Sequence, residues 1–88
     1  MQMKLHNELN NTSQAVVKRI KTLLIEKNIT LYRLERNSGI LHGTMSSIMS
    51  GKTKKISLST IVLIAHGFNL SLLEFLNDPL FEYENLDV

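Results

Sequence analysis

Gly39 separates two short helical patterns, and the reversal it permits constrains this chain more than any other feature. The stretch Thr30–Lys52 reads TLYRLERNSGILHGTMSSIMSGK. Its first half offers Thr30 as an N-cap, followed by Leu31, Leu34 and Ser38 on one face at helical spacing. Its second half places Leu41, Met45, Ile48 and Met49 on one face, and Gly51 follows as a stop. The chain must turn sharply at Ser38-Gly39-Ile40-Leu41, and glycine accepts a positive φ there without a Cβ clash. Helices of about two turns do not persist alone in water, so these two must pack on each other and on neighbours.

Those neighbours are legible on both sides. A helix is predicted from Ser13 to about Lys27, with Val16, Ile20, Leu23 and Leu24 as its apolar stripe; Lys18, Arg19 and Lys21 lie mostly away from that stripe. Asn28 is its expected stop. Beyond the pair, Ser57 predicts an N-cap for a fourth helix carrying Leu58, Ile61, Val62, Ile64, Ala65 and Phe68. That helix is apolar around most of its circumference and is expected to be the central buried one. Gly67 lies in its last turn, where it costs about 1 kcal/mol relative to Ala, and close helix packing is the expected reason. Ser71 and Glu74 form a capping box that opens a fifth helix through Leu76, ended by Asn77-Asp78-Pro79. The expected organisation is therefore a flexible arm over 1–12, an all-α domain over 13–78, and an acidic, apolar tail over 79–88.

Charge divides along the same line. The net charge is only +2, but residues 1–55 hold all ten Lys and Arg against three carboxylates, and residues 56–88 hold five carboxylates and no Lys or Arg. The half containing the helical pair is thus basic, as contact with a phosphate backbone requires. Cysteine is absent, which excludes disulfides and thiolate metal sites and suits a cytoplasmic protein. No apolar run approaches a membrane span, and the first ten residues lack a signal-peptide core. His6, His42 and His66 are dispersed, no serine sits in a nucleophile elbow, and there is no glycine-rich phosphate loop. Nothing here supports an enzyme, and neither a cofactor nor a small-molecule ligand is expected.

With Leu34, Ser38, Gly39, Ile40, Met45, Ile48 and the closing Ser50-Gly51-Lys52-Thr53 in place, the stretch resembles the helix-turn-helix of the phage-repressor-like (Xre/Cro-type) DNA-binding family. The resemblance covers about Val16 to Leu76 and implies a compact, five-helix, lambda-repressor-like fold. One position departs: the family favours a small residue after Leu34, and here stands Glu35, a carboxylate that cannot be buried cheaply without a partner.

The resemblance implies that the third helix, about residues 42–50, enters the major groove with His42, Gly43, Ser46 and Ser47 facing base edges. Serine donates or accepts to several bases, and histidine can donate to guanine or phosphate. Gly43 would let the backbone approach closely, and Thr44 flanks the face. Phosphate contacts are expected from Thr30, Tyr32 and Arg36 at the second helix, where the N-terminal dipole suits an anion. Thr44 and the loop lysines Lys52, Lys54 and Lys55 complete that set. The expected function is a sequence-specific regulator, a repressor, that binds a palindromic duplex operator as a homodimer joined through the fifth helix and the tail. The alternative is an antitoxin-like protein-interaction module on the same fold.

Overall fold

A computed structural model describes residues 9–88. The chain forms α1 (Thr12–Glu26), α2 (Leu31–Ser38), α3 (His42–Met49), α4 (Leu58–Gly67) and α5 (Leu72–Leu76), then two single-turn 3-10 helices at Pro79–Phe81 and Tyr83–Asn85. The fold is all-α, as the periodicity predicts; among the described residues the only β pairing is one isolated parallel bridge, Asn10 with Leu86.

Local chemistry explains where the helices begin. Thr30, Ser57 and Ser71 each cap a helix through a side-chain oxygen that accepts from a backbone N–H three residues on. At α1 the start falls one residue before the expected Ser13. Asn11 Oδ1 accepts from Gln14 N–H at 2.8 Å, and Gln14 Oε1 accepts from Asn11 N–H at 2.9 Å, a reciprocal box that outweighs Ser13. The helix correspondingly ends at Glu26, with Asn28 in the left-handed region at φ 53°. The corner between α2 and α3 turns at Gly39, φ 75°.

The core draws on every helix: Val16, Ile20 and Leu23 from α1, Leu34 from α2, Met45 and Ile48 from α3, Ile64 and Ala65 from α4, Phe75 from α5. Gly67 is buried where α4 crosses α2; a Cβ there would meet Leu34 Cδ1 at 2.8 Å and Ser38 Cβ at 2.9 Å. Two apolar expectations require correction. Helix α4 is not buried all round, because Leu58, Val62 and Leu63 are exposed; apolar composition exceeds the area its neighbours cover. Leu41 does not join the inner face of α3 either. It occupies the N-cap position at 77% exposure, and Ile40 takes the buried place at the corner.

The described end of the arm and the tail are both tied to the domain. Residues 1–8 of the expected arm lie outside the described residues, but its other end is tied: Asn11 caps α1, and Asp87 N–H donates to the Asn10 carbonyl at 2.9 Å. The tail therefore folds back on its own chain. Phe81 packs on Phe75 at a ring separation of 6.1 Å, and Asn85 Nδ2 donates to the Pro79 carbonyl at 2.7 Å. Arg19, expected among the surface cations, holds this end down. Its Nε donates to the Phe75 carbonyl at 2.7 Å, one terminal nitrogen to the Glu74 carbonyl at 3.0 Å, and the other to Asp78 at 3.2 Å.

Candidate nucleic-acid interface

Helix α3 is held from beneath. Met45 and Ile48 are buried, and Met49 is half-buried against the same core. That anchoring turns His42, Gly43, Thr44, Ser46 and Ser50 outward, and all five are exposed. Ser47 is only half-buried because the chain after α3 returns over it: Thr53 N–H donates to the Ser47 carbonyl at 3.1 Å, and Ser50 Oγ does so at 3.3 Å. Gly51, at φ 85°, makes that return possible. Of the four residues expected to face bases, three are fully presented and Ser47 is partly withdrawn.

The phosphate candidates divide into two groups. At the start of α2, Thr30 Oγ1 accepts from Arg33 N–H at 3.1 Å, and the Thr30 carbonyl accepts from Leu34 N–H at 3.0 Å. The first turn of α2 carries the remaining orphan donors, and its dipole end favours an anion. Tyr32 and Arg36 are both exposed there and are linked: Arg36 donates to the Tyr32 hydroxyl at 3.2 Å, with its guanidinium 5.9 Å from the ring centroid. Beyond α3, Lys52, Lys54 and Lys55 are all exposed on the returning loop.

Three further residues emerge that the sequence reading did not assign to the site. Lys18 and Lys21 line a groove of about 450 Å³ between α1 and the end of α3, together with Ser50 and Lys54. Their i, i+3 spacing on a helix was the available signal. Asp78 is paired with Arg19 and Glu35 faces His42, so neither carboxylate neutralises these lysines. The third is Leu41, an exposed apolar side chain next to His42 at the leading end of α3, of the kind that can meet a thymine methyl.

Glu35 finds the partner that its position demands. It is buried, and its two carboxylate oxygens lie 3.2 and 3.1 Å from Nδ1 of His42 on the next helix. The pair bridges α2 and α3 at the first residue of α3.

Two short helices crossing at a glycine corner, the second anchored by apolar residues and presenting a small polar face beside exposed lysines, define a helix-turn-helix DNA-binding domain. Residues 19–79 match the family described as the Cro/C1-type HTH DNA-binding domain, and the chain belongs to it. The fold is also similar to that in the crystal structure of the prophage Lp1 protein 11, with a TM-score of 0.74 at 19% identity, covering 84% of this chain and 97% of that one. No curated protein matches the chain. Among the described residues, no helix is long and apolar enough to cross a membrane.

Proposed function

We propose that this chain is a sequence-specific double-stranded DNA-binding regulator that represses transcription, with α3 in the major groove of each half of a palindromic operator. The observation that carries the reading is the exposed face of His42, Gly43, Thr44 and Ser46 on a helix locked into the core by Met45 and Ile48. Lys18, Lys21, Lys52, Lys54 and Lys55 flank it and would take the phosphates, and the acidic third of the chain lies beyond. A single module reads only a few base pairs, so pairing two with half-sites about 34 Å apart supplies the missing affinity.

The dimer contact in this reading is α5 with the exposed part of the tail. Leu73 on α5 is 79% exposed, and Tyr83 and Val88 are exposed beyond it. Since Phe81 and Asn10 tie the rest of the tail to the domain, surface substitutions test this contact more cleanly than truncation. Leu73→Glu with Tyr83→Glu is expected to leave the fold intact and to convert a dimer at tens of micromolar into a monomer by sedimentation. Selection from a random duplex pool, followed by titration at several salt concentrations, tests the reading as a whole. A selected palindrome whose affinity falls steeply with salt supports it. No sequence preference and no salt dependence would instead leave the same exposed apolar residues to a protein partner.

A further inference from the structure

Glu35 and His42 form a device within that reading. The Glu35 side chain is 10% exposed, whereas the His42 side chain is 82% exposed, so the carboxylate is fixed in the protein and the ring projects from it. Both carboxylate oxygens address the same ring nitrogen, Nδ1. We propose that Glu35 is a positioning residue for base recognition: it holds His42 in one orientation and one tautomer, leaving Nε2 as an outward-facing hydrogen-bond acceptor.

The chemistry follows from counting protons. An ionised carboxylate only accepts, so the nitrogen facing it must carry a hydrogen. A neutral imidazole carries one N–H, and that N–H is now committed to Nδ1. Nε2, on the far side of the ring from Glu35, is left bare. In the major groove a bare acceptor is met by the amino groups of cytosine N4 or adenine N6 and is opposed by N7 and O6 of guanine. The expectation from the sequence, a histidine donating to guanine, is thereby reversed for the neutral ring. Holding the ring before DNA arrives also removes part of the ordering cost of binding. Burying a carboxylate at a helix contact that suits a small residue is costly, and the His42 contact offsets part of that cost.

The inference rests on α3 reading duplex DNA, and the test separates the two. At about pH 8, where imidazole is ordinarily neutral, long-range proton–nitrogen spectra of the free protein report the His42 tautomer without DNA. The wild type is expected to show Nδ1–H, and Glu35→Ala the Nε2–H form that free histidine favours in water. Duplex selection with wild type, Glu35→Ala, His42→Ala and the double variant then reads specificity. The wild type is expected to prefer adenine or cytosine over guanine or thymine on the contacted strand, at one position of each half-site, by about tenfold. Glu35→Ala and His42→Ala are expected to lose that preference at the same position, and the double variant to lose no more than either. Alanine is the kind of small residue that suits this helix contact, so Glu35→Ala is expected to fold. An Nε2–H ring in the wild type, or a Glu35→Ala variant that selects the wild-type site, overturns the positioning role while leaving DNA reading intact. A wild type that selects no duplex overturns both.

Discussion

Gly67 packs against Ser38 so closely that a Cβ on the glycine would stand 2.9 Å from the serine's own Cβ. This contact sets the separation of α4 from α2, and through the α2–α3 corner it supports the face that α3 presents.

Gly67→Ala is therefore expected to destabilise the domain despite alanine's better helix propensity. The gain from propensity is about 1 kcal/mol, whereas forcing a methyl into a packed contact costs about 1–3 kcal/mol. Leu34 Cδ1 can rotate away, but Ser38 Cβ and the Leu34 carbonyl, at 3.3 Å, move only with α2. A net loss of about 1–2 kcal/mol in urea unfolding is expected. An unchanged or raised midpoint would show that α2 yields freely.

Arg19 and Lys18 are adjacent cations with opposite roles, and their variants should separate cleanly. Arg19 is 11% exposed at its side chain and satisfies two carbonyls at the end of α5 as well as Asp78. Arg19→Ala is expected to cost about 1–3 kcal/mol, because a part-buried carbonyl, an exposed carbonyl and a carboxylate lose their donor. Arg19→Lys should rescue little, since an ammonium cannot reproduce the planar fork. Lys18→Ala should leave the unfolding midpoint within about 0.5 kcal/mol of wild type. Unfolding curves for the three proteins decide it; equal stabilities would overturn the role given to Arg19.

The contrast shows what a linear reading can hold. Capping is local chemistry, so Thr30, Ser57 and Ser71 were legible three residues from the N–H groups they accept, and Gly39 was legible from the reversal around it. The face of α3 was legible because burial of Met45 and Ile48 at helical spacing leaves the rest outward. Partner choice was not. Arg19 and Lys18 are both cations in sequence, and only the packing of α5 across α1 distinguishes them. The exposed apolar residues of α4 and the return of the tail to Asn10 depend on how much area neighbours cover, which composition does not encode. Glu35 lies between these cases: its need for a partner was plain from its position, and His42 is identified only by the geometry of the corner.

Acid should weaken the start of α5. The Ser71 backbone N–H, donating to Glu74 at 2.8 Å, holds that carboxyl below its ordinary value, aided by the Ser71 hydroxyl and more weakly by Lys27; slight desolvation opposes them. A carboxyl lowered in the folded state contributes stability that is full above its unfolded pKa and is lost as pH falls through the folded one. The melting-temperature gap between wild type and Glu74→Gln is therefore expected to be widest near neutrality and to close on acidification. A gap that stays constant through the carboxylate range would detach this effect from Glu74 ionisation. Ser71→Ala, which removes the acceptor for Glu74 N–H, should cost about 1 kcal/mol.

The lysines around α3 should report as counterion release. Lys18→Ala, Lys21→Ala, Lys52→Ala, Lys54→Ala and Lys55→Ala are each expected to weaken binding to all duplexes about equally, lowering the salt slope by roughly one unit for each phosphate deprived of its lysine. Lys18, Lys21 and Lys54 share one groove, so they should act together along one stretch of backbone. Titrations at four or more salt concentrations give the slopes. A Lys18, Lys21 double variant with the wild-type slope would confine the interface to α2, α3 and the loop.

Base preference should respond to a different pair. Ser46 and Leu41 are both exposed, one on the polar face of α3 and the other at its N-cap, and neither contributes to the core. Ser46→Ala and Leu41→Ala are thus expected to leave the melting temperature nearly unchanged while altering the selected sequence. The two effects should differ in kind. Removing the serine hydroxyl should relax discrimination at one position by about 1–3 kcal/mol, whichever base it had bonded. Removing the leucine should act only where thymine is preferred, because its partner would be the thymine methyl, and uracil in place of that thymine should mimic the variant in the wild-type complex. Lys52→Ala, by comparison, should lower affinity without changing the selected site. Should Leu41→Ala select the wild-type sequence and bind uracil-substituted duplex no differently from thymine, the exposed leucine has no part in reading and its exposure belongs to some other contact.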